Sequence, residues 1–214
     1  MPTLHGVDGS PFVRKVKVAC IEKGITFDQN PVMPMGVSDD YKKISPLGKI
    51  PCWTTDEGEN IPDSSCILSY LDAAHPEKSL HPSDPVKLGQ ALFLEEYGDS
   101  RLVENCGPVF FQRIINPRLL KLPTDEAVVE KCLTEGLPPL LAWLEEQTAG
   151  KDYLVGSSLS VADLGIASPL VNLAHAGETI DASKYPNLAR YAAGILERDS
   201  FRQCIEAERA VFGG

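Results

Sequence analysis

Apolar positions recur at helical spacing in Phe12, Val16, Ala19 and Cys20, and Gly24 stands where such a run would stop. Ahead of it, Thr3-Leu4-His5 has the short alternating character of a strand. A second strand is predicted at Thr26-Phe27-Asp28, followed by a loop rich in proline and methionine and a short helix over 39–44. Ser45-Pro46-Leu47-Gly48 reads as a turn. Strands over 52–55 and 59–61 flank the turn Asp56-Glu57-Gly58, and a helix over 64–74 follows. The predicted order of the first eighty or so residues is therefore β-α-β-α-β-β-α.

Residues 75–85 hold three prolines (Pro76, Pro82, Pro85) and little apolar period, which places a domain boundary there. The expected division is a first domain over 1–78, a linker over 79–85 and a second domain over 86–214. Beyond the linker the pattern is helical throughout, with helices expected over 88–103, 125–148, 161–176, 186–198 and 202–210. Pro138-Pro139 should kink or split the second of these, because proline lacks the N–H and clashes with the preceding turn. Residues 105–123 are apolar but interrupted by Gly107, Pro108, Pro117 and Pro123, and the pattern assigns them no conformation. Ser160-Val161-Ala162-Asp163 has the spacing of a capping box, a structural device that implies no chemistry. The fold class is thus an α/β domain followed by an all-α domain.

Charge narrows the partners. The chain of 214 residues carries 30 acidic and 20 basic side chains, a net charge of −10, with most of the acidic excess after Pro82 and no basic run to follow a phosphate backbone. Nucleic acid is not an expected partner. No stretch approaches the roughly 20 apolar residues of a membrane span, and the N-terminus lacks a secretory pattern, so neither membrane nor export is expected and the location is cytoplasmic. Six cysteines (Cys20, Cys52, Cys66, Cys106, Cys132, Cys204) are scattered without a C-x-x-C or paired histidines, which points away from zinc and dithiol chemistry. Cys52 and Cys66 are expected to be buried side chains.

Three places have residue types suited to chemistry, and each also has a purely structural reading. Ser10-Pro11 opens the first helix as an N-cap followed by proline at the first helical position. The same helix terminus, with unpaired N–H groups and partial positive charge, favours a nearby thiolate, to which a hydroxyl can donate. Ile50-Pro51 is either an ordinary trans turn or a cis bond that turns the Ile50 backbone towards an extended peptide. Asp63-Ser64 is either a cap or a head-group site, with Asp63 on an ammonium and Ser64 on the adjacent carboxylate, and Lys49 supplies a further positive charge.

Taken in order, Ser10-Pro11-Phe12-Val13-Arg14-Lys15-Val16, Ser45-Pro46-Leu47-Gly48-Lys49-Ile50-Pro51, Pro62-Asp63-Ser64-Ser65-Cys66-Ile67 and Leu159-Ser160-Val161-Ala162-Asp163-Leu164 closely resemble the soluble, cytosolic-type glutathione transferase family with a serine-type active site. The resemblance implies a thioredoxin-like N-terminal domain, an all-helical C-terminal domain, a homodimer and glutathione as co-substrate without a metal. It implies Ser10 as the donor to the glutathione sulfur, Pro51 as a cis proline, Ile50 pairing its backbone with the cysteinyl unit, Asp63 and Ser64 at the γ-glutamyl head group, and Lys49 approaching the tripeptide. The implied reaction is attack of the thiolate on a small hydrophobic electrophile, with glutathione-dependent peroxidase or isomerase chemistry as alternatives and a non-catalytic scaffold as the alternative of another class. The electrophile site is expected between the domains, with Phe12, Tyr97, Arg101 and Leu102 contributing. Two departures from the family pattern stand out: Asp63 replaces the commoner glutamate, and residues 34–40 lack the basic residue that many relatives direct at the glycyl carboxylate, leaving Lys42, Lys43 or Lys49.

Overall fold

The computed structural model describes residues 1–212, which form two compact units divided between His81 and Pro82. The first is built on a four-stranded mixed sheet in the order β2-β1-β3-β4, from β1 (Thr3–His5), β2 (Asp28–Asn30), β3 (Cys52–Thr54) and β4 (Asn60–Pro62). β1 pairs in parallel with β2 and antiparallel with β3, so that Leu4 stands opposite both Gln29 and Trp53. β3 and β4 form a hairpin closed by a turn in which the Thr55 N–H donates to the Glu59 carbonyl. Three helices accompany the sheet: α1 (Pro11–Lys23), α2 (Asp39–Ile44) and α3 (Ser64–Ala74). α1 and α3 pack together, and Leu4, Val13, Val16, Cys20, Trp53, Ile67 and Leu71 are buried almost completely between helices and sheet.

Local chemistry sets the ends of these elements. α1 stops at Gly24, whose φ of 72° is left-handed and lets the Gly24 and Ile25 N–H groups return to carbonyls of the last turn. α2 starts at Ser38, whose Oγ accepts from the Tyr41 N–H, with Asp39 and Asp40 in its first turn and Lys42 and Lys43 in its last.

One strand lies two residues later than its apolar pattern suggests. The pairing of Thr3 with Asp28 puts β2 at Asp28–Asn30, and Phe27 instead packs its ring 5.8 Å from that of Trp53. β2 is an edge strand with an exposed Asp28 and Asn30, so burial of an apolar face does not mark its position.

The second unit is all helix among its described residues. α4 (Pro85–Tyr97), α5 (Val103–Phe110) and the segment Phe111–Leu120 continue into one another through wide turns at Gly98–Leu102 and Phe111–Leu120. The unassigned residues 105–123 are thus helical as far as Leu120, with Pro108 and Pro117 accommodated inside. α6 (Glu126–Lys131) and α7 (Leu137–Gln147) are separated by a wide turn at Cys132–Gly136, and Pro138-Pro139 fall in the first turn of α7, where a missing N–H costs least. α9 (Pro186–Leu196) and α10 (Asp199–Phe212) complete the unit, the latter starting three residues before its expected position.

α8 (Val161–His175) is the centre of this unit, with every residue from Val161 to Leu173 buried. A helix apolar on all sides needs neighbours on all sides, and α4, α5 and α9 supply them. The turn that follows α4 approaches so closely that a Cβ at Gly98 would collide with the Gly165 carbonyl. The capping box is formed: Asp163 Oδ2 accepts from the Ser160 N–H at 2.9 Å, while Oδ1 accepts from the Leu154 N–H (2.9 Å) and the Tyr191 hydroxyl (2.8 Å). None of the helices among the described residues is long and apolar enough to cross a membrane.

Candidate functional site

The first unit brings three of the sequence-predicted segments into contact. The loop from β1 to α1 runs through Gly6 and Gly9, with φ values of 151° and 88°, to Ser10 at the N-cap of α1. Ser10 Oγ accepts from the Val13 N–H at 3.4 Å, a bond that occupies a lone pair and leaves the hydroxyl proton available. Ser10 is half-buried, with Pro11 behind it as the first helical residue. The capping bond is thus formed through the oxygen of this hydroxyl.

Gly6 abuts the second segment. A Cβ there would collide with Val13 Cγ2 at 2.5 Å while touching Ile50 Cβ at 3.4 Å, so glycine lets the loop pass Val13 and lie beside Ile50. The Ile50–Pro51 bond is cis, and both residues are buried. The chain leading into it is fixed at the Lys49 carbonyl, which accepts from the Tyr41 hydroxyl (2.9 Å) and the Ser45 hydroxyl (2.7 Å). Burial pushes the Tyr41 phenol up to about 12, with the Cys52 thiol adding to the effect, so it remains a donor at neutral pH. Tyr41 and Ser45 carry no motif that marks them as supports, because their partner is a backbone carbonyl.

The third segment is bonded to the second: the Asp63 N–H donates to the Pro51 carbonyl at 3.2 Å. Asp63 takes a φ of 77°, a backbone region that costs a residue with a side chain about 1–3 kcal/mol. In that conformation its Oδ1 caps α3, accepting from the Ser65 N–H (2.9 Å) and the Cys66 N–H (3.2 Å). The other carboxylate oxygen is not used in these bonds. Ser64, buried, is the first residue of α3.

The basic candidates separate on their partners. Lys42 and Lys43 are exposed and pair within their own helix with Asp39 (3.0 Å) and Asp40 (2.7 Å). Lys49 is exposed and forms no ion pair among the described residues. Cys52 is buried, with its thiol raised to about 11 by burial. Cys66 differs from expectation: it is exposed in the first turn of α3, on the side of the helix opposite buried Ser64, Leu68 and Leu71.

In the second unit the residues named for an electrophile site have different surroundings. The Tyr97 ring lies 4.5 Å from that of Trp143, and its hydroxyl reaches the Leu140 carbonyl at 3.5 Å. Burial raises the Tyr97 phenol, against a smaller opposing effect of Arg101. Arg101 is exposed and pairs with Glu104 at 2.8 Å. Leu102 is completely buried, and Phe110 packs in the same interior against His175 and Phe212. In the first unit Phe12 is half-buried on the first turn of α1.

The second unit also holds a cavity of about 530 Å³ lined by residues of α7, α8, α9 and the loop between the last two, among them Leu137, Leu141, Leu173 and Tyr185. None of the candidate site residues named from the sequence lines it. No group of three or more His, Cys, Asp or Glu side chains arranged to hold a metal ion occurs among the described residues.

Residues 4–79 match the family described as glutathione S-transferase, N-terminal domain, and residues 119–207 match glutathione S-transferase, C-terminal domain. The chain belongs to the glutathione S-transferase family. This transferase-family chain is 27% identical to glutathione S-transferase U4 of Arabidopsis thaliana over 94% of its own length and 87% of that protein's. It is 29% identical to a probable maleylacetoacetate isomerase of Caenorhabditis elegans, over 94% and 91% of the two chains. Among solved structures, a glutathione S-transferase of Methylobacillus flagellatus with glutathione bound superposes with a TM-score of 0.78 at 28% identity, covering 95% of this chain and 98% of that one.

Proposed function

We propose that this glutathione S-transferase binds glutathione along the Ser10, Ile50-Pro51 and Asp63-Ser64 segments and activates its thiol for attack on a small hydrophobic electrophile. The observation that carries the proposal is the contiguity of those segments: Gly6 against Ile50, and the Asp63 amide on the Pro51 carbonyl. An extended tripeptide laid along them has the N-terminus of α1 beside its central sulfur and that of α3 beside its γ-glutamyl end, and the bound glutathione in the Methylobacillus relative supports that ligand.

In this reading the α-amino group of the γ-glutamyl unit pairs with the second carboxylate oxygen of Asp63, and its carboxylate takes the Ser64 hydroxyl and backbone N–H. The Ile50 backbone pairs with the cysteinyl unit, and Lys49 meets the glycyl carboxylate. Ser10 is the donor to sulfur. Its hydroxyl titrates far above neutral pH and cannot act as a base; a hydrogen bond to the sulfur stabilises the thiolate and the positive end of α1 adds to it. The thiol proton leaves to solvent. The sulfur lone pair then forms the new bond to the electrophilic carbon as the leaving group departs with its electron pair.

A second reading is glutathione-dependent isomerisation, favoured by the likeness to the probable maleylacetoacetate isomerase. There the thiolate adds reversibly to the substrate and is expelled after bond rotation, so the demands on Ser10 are the same. Calorimetry with glutathione, followed by turnover of aryl halides, organic hydroperoxides and a cis-enone acid, tests the proposal and separates the readings. Binding heat with aryl-halide turnover is expected; no heat and no turnover on any of them would leave a scaffold role instead.

A further inference from the structure

The loop that carries Ser10 is held by a closed polar triangle that plays no part in the proposed ligand contacts. Lys17 Nζ donates to Asp8 Oδ1 at 2.6 Å and to Gln29 Oε1 at 3.1 Å. Gln29 Nε2 donates to the same Asp8 oxygen at 3.1 Å and to the Gly6 carbonyl at 2.9 Å. Each side chain bonds the other two, which fixes all three rotamers. It also fixes the sense of the Gln29 amide, since rotating it would set Oε1 against two acceptors and the NH₂ against an ammonium. The ion pair is largely withdrawn from water, with Lys17 and Asp8 side chains 14% and 19% exposed.

This triangle accounts for the polar character of β2. Gln29 is its middle residue and the one not exposed, so its inward position is occupied by an amide clamp and not by an apolar side chain. One end of the 6–10 loop is secured by the Gly6 N–H on the Asn30 carbonyl and by the seat of Gly6 on Val13 and Ile50. Asp8 secures its middle, two residues before Ser10. The Asp8 and Lys17 charges cancel, so the effect on a nearby sulfur is geometric.

We propose that Gln29 and Lys17, acting through Asp8, are positioning residues for the Ser10 hydroxyl, holding the 6–10 loop so that this hydroxyl meets the glutathione sulfur in one orientation. The inference rests on the reading of Ser10 as the thiol's donor. A donor displaced by even about 1 Å loses much of its effect on a reacting atom.

The test combines Gln29→Leu, Lys17→Met and Lys17→Arg, each alone and with Ser10→Ala, assayed with glutathione and an aryl halide. Gln29→Leu and Lys17→Met are expected to lower kcat about tenfold, to leave the KM for glutathione within about twofold, and to raise the pKa of the bound thiol. Lys17→Arg keeps the charge and the donors and is expected within about threefold of wild type. In the Ser10→Ala background Gln29→Leu should cost nothing further, because the group it positions is gone. An equal loss in both backgrounds, or an unchanged thiol pKa, overturns the proposal. Should Gln29→Leu fail to fold, the contrast between Lys17→Met and Lys17→Arg carries the same test. If Ser10→Ala itself matches wild type, the donor reading fails; if Ser10→Ala is impaired and both triangle variants match wild type, the positioning inference alone fails.

Discussion

Asp72 holds the end of the first unit together, and replacing it with alanine should strongly destabilise the protein. Its carboxylate lies 2.6 Å from Lys23 Nζ and 2.6 Å from His81 Nδ1, and accepts from the Leu80 and His81 N–H groups (2.9 and 2.7 Å) and from Ser79 Oγ (2.9 Å). The side chains of Lys23 and Asp72 are only 1% and 9% exposed. Asp72→Ala leaves the Lys23 ammonium buried with only the His75 and Lys78 carbonyls as acceptors. Breaking a buried pair from one side costs about 3–5 kcal/mol. In a chain of this size that corresponds to a fall in Tm of about 6–20 °C.

The same carboxylate sets a pH dependence. Burial alone would raise the Asp72 pKa, but the hydrogen bonds from His81 and Lys23, then from Leu80 and Ser79, outweigh it and hold the group far below the usual carboxylate range. A group whose folded pKa is depressed stabilises the fold above its unfolded value, near 3.9, and that contribution fades as pH falls below it. Urea unfolding followed by circular dichroism, at neutral pH and down to about pH 3, measures both effects. Wild type should lose stability relative to Asp72→Ala in the acid range, narrowing the gap between them. A neutral-pH difference below about 0.5 kcal/mol would refute the reasoning, since that is the effect of an ordinary surface substitution.

Other expectations follow from the same contacts. Tyr191→Phe removes the hydroxyl that donates to buried Asp163 and should cost about 1.5–3 kcal/mol in urea unfolding. Gly98→Ala forces the turn after α4 away from the Gly165 carbonyl and should cost about 1–3 kcal/mol or more, whereas Gly89→Ala, with open space around it, should be neutral or stabilising. Under native conditions an alkylating reagent followed by peptide mapping should modify exposed Cys66 well before buried Cys52 and Cys106, whose thiols burial raises. Lys49→Ala should weaken glutathione binding several-fold by calorimetry while Lys42→Ala does not, because Lys42 is already paired with Asp39.

Legibility in the sequence follows the kind of force at work. Capped helices with strong stop signals, such as 64–74 between Asp63 and His75, are readable because cap and period agree. β2 is not, because an edge strand built around an amide clamp has no apolar alternation to read. The helix through Pro108 and Pro117 is hidden for another reason: prolines normally end a helix, whereas here Pro117 falls within the wide turns over 111–120 and α5, which carries Pro108, is held by packing on α8, far along the chain. At the candidate site, Ser10 and Asp63 announce themselves as caps, whereas Tyr41, Ser45, Asp8, Lys17 and Gln29 act on backbone carbonyls or on one another across sequence distance. Cys66 is exposed although its residue type favours burial, because its place in the first turn of α3 faces away from the core.

The most direct test of the central claim is the ionisation of glutathione bound to the protein, followed by ultraviolet thiolate absorbance against pH for wild type and Ser10→Ala. If the Ser10 hydroxyl donates to the sulfur, the bound thiol should titrate at least about one unit below free glutathione, and Ser10→Ala should return it upward by about 1–2 units, the equivalent of a charge-assisted hydrogen bond. A bound thiol that titrates like free glutathione, or a Ser10→Ala protein whose bound thiol titrates where wild type does, would contradict the account.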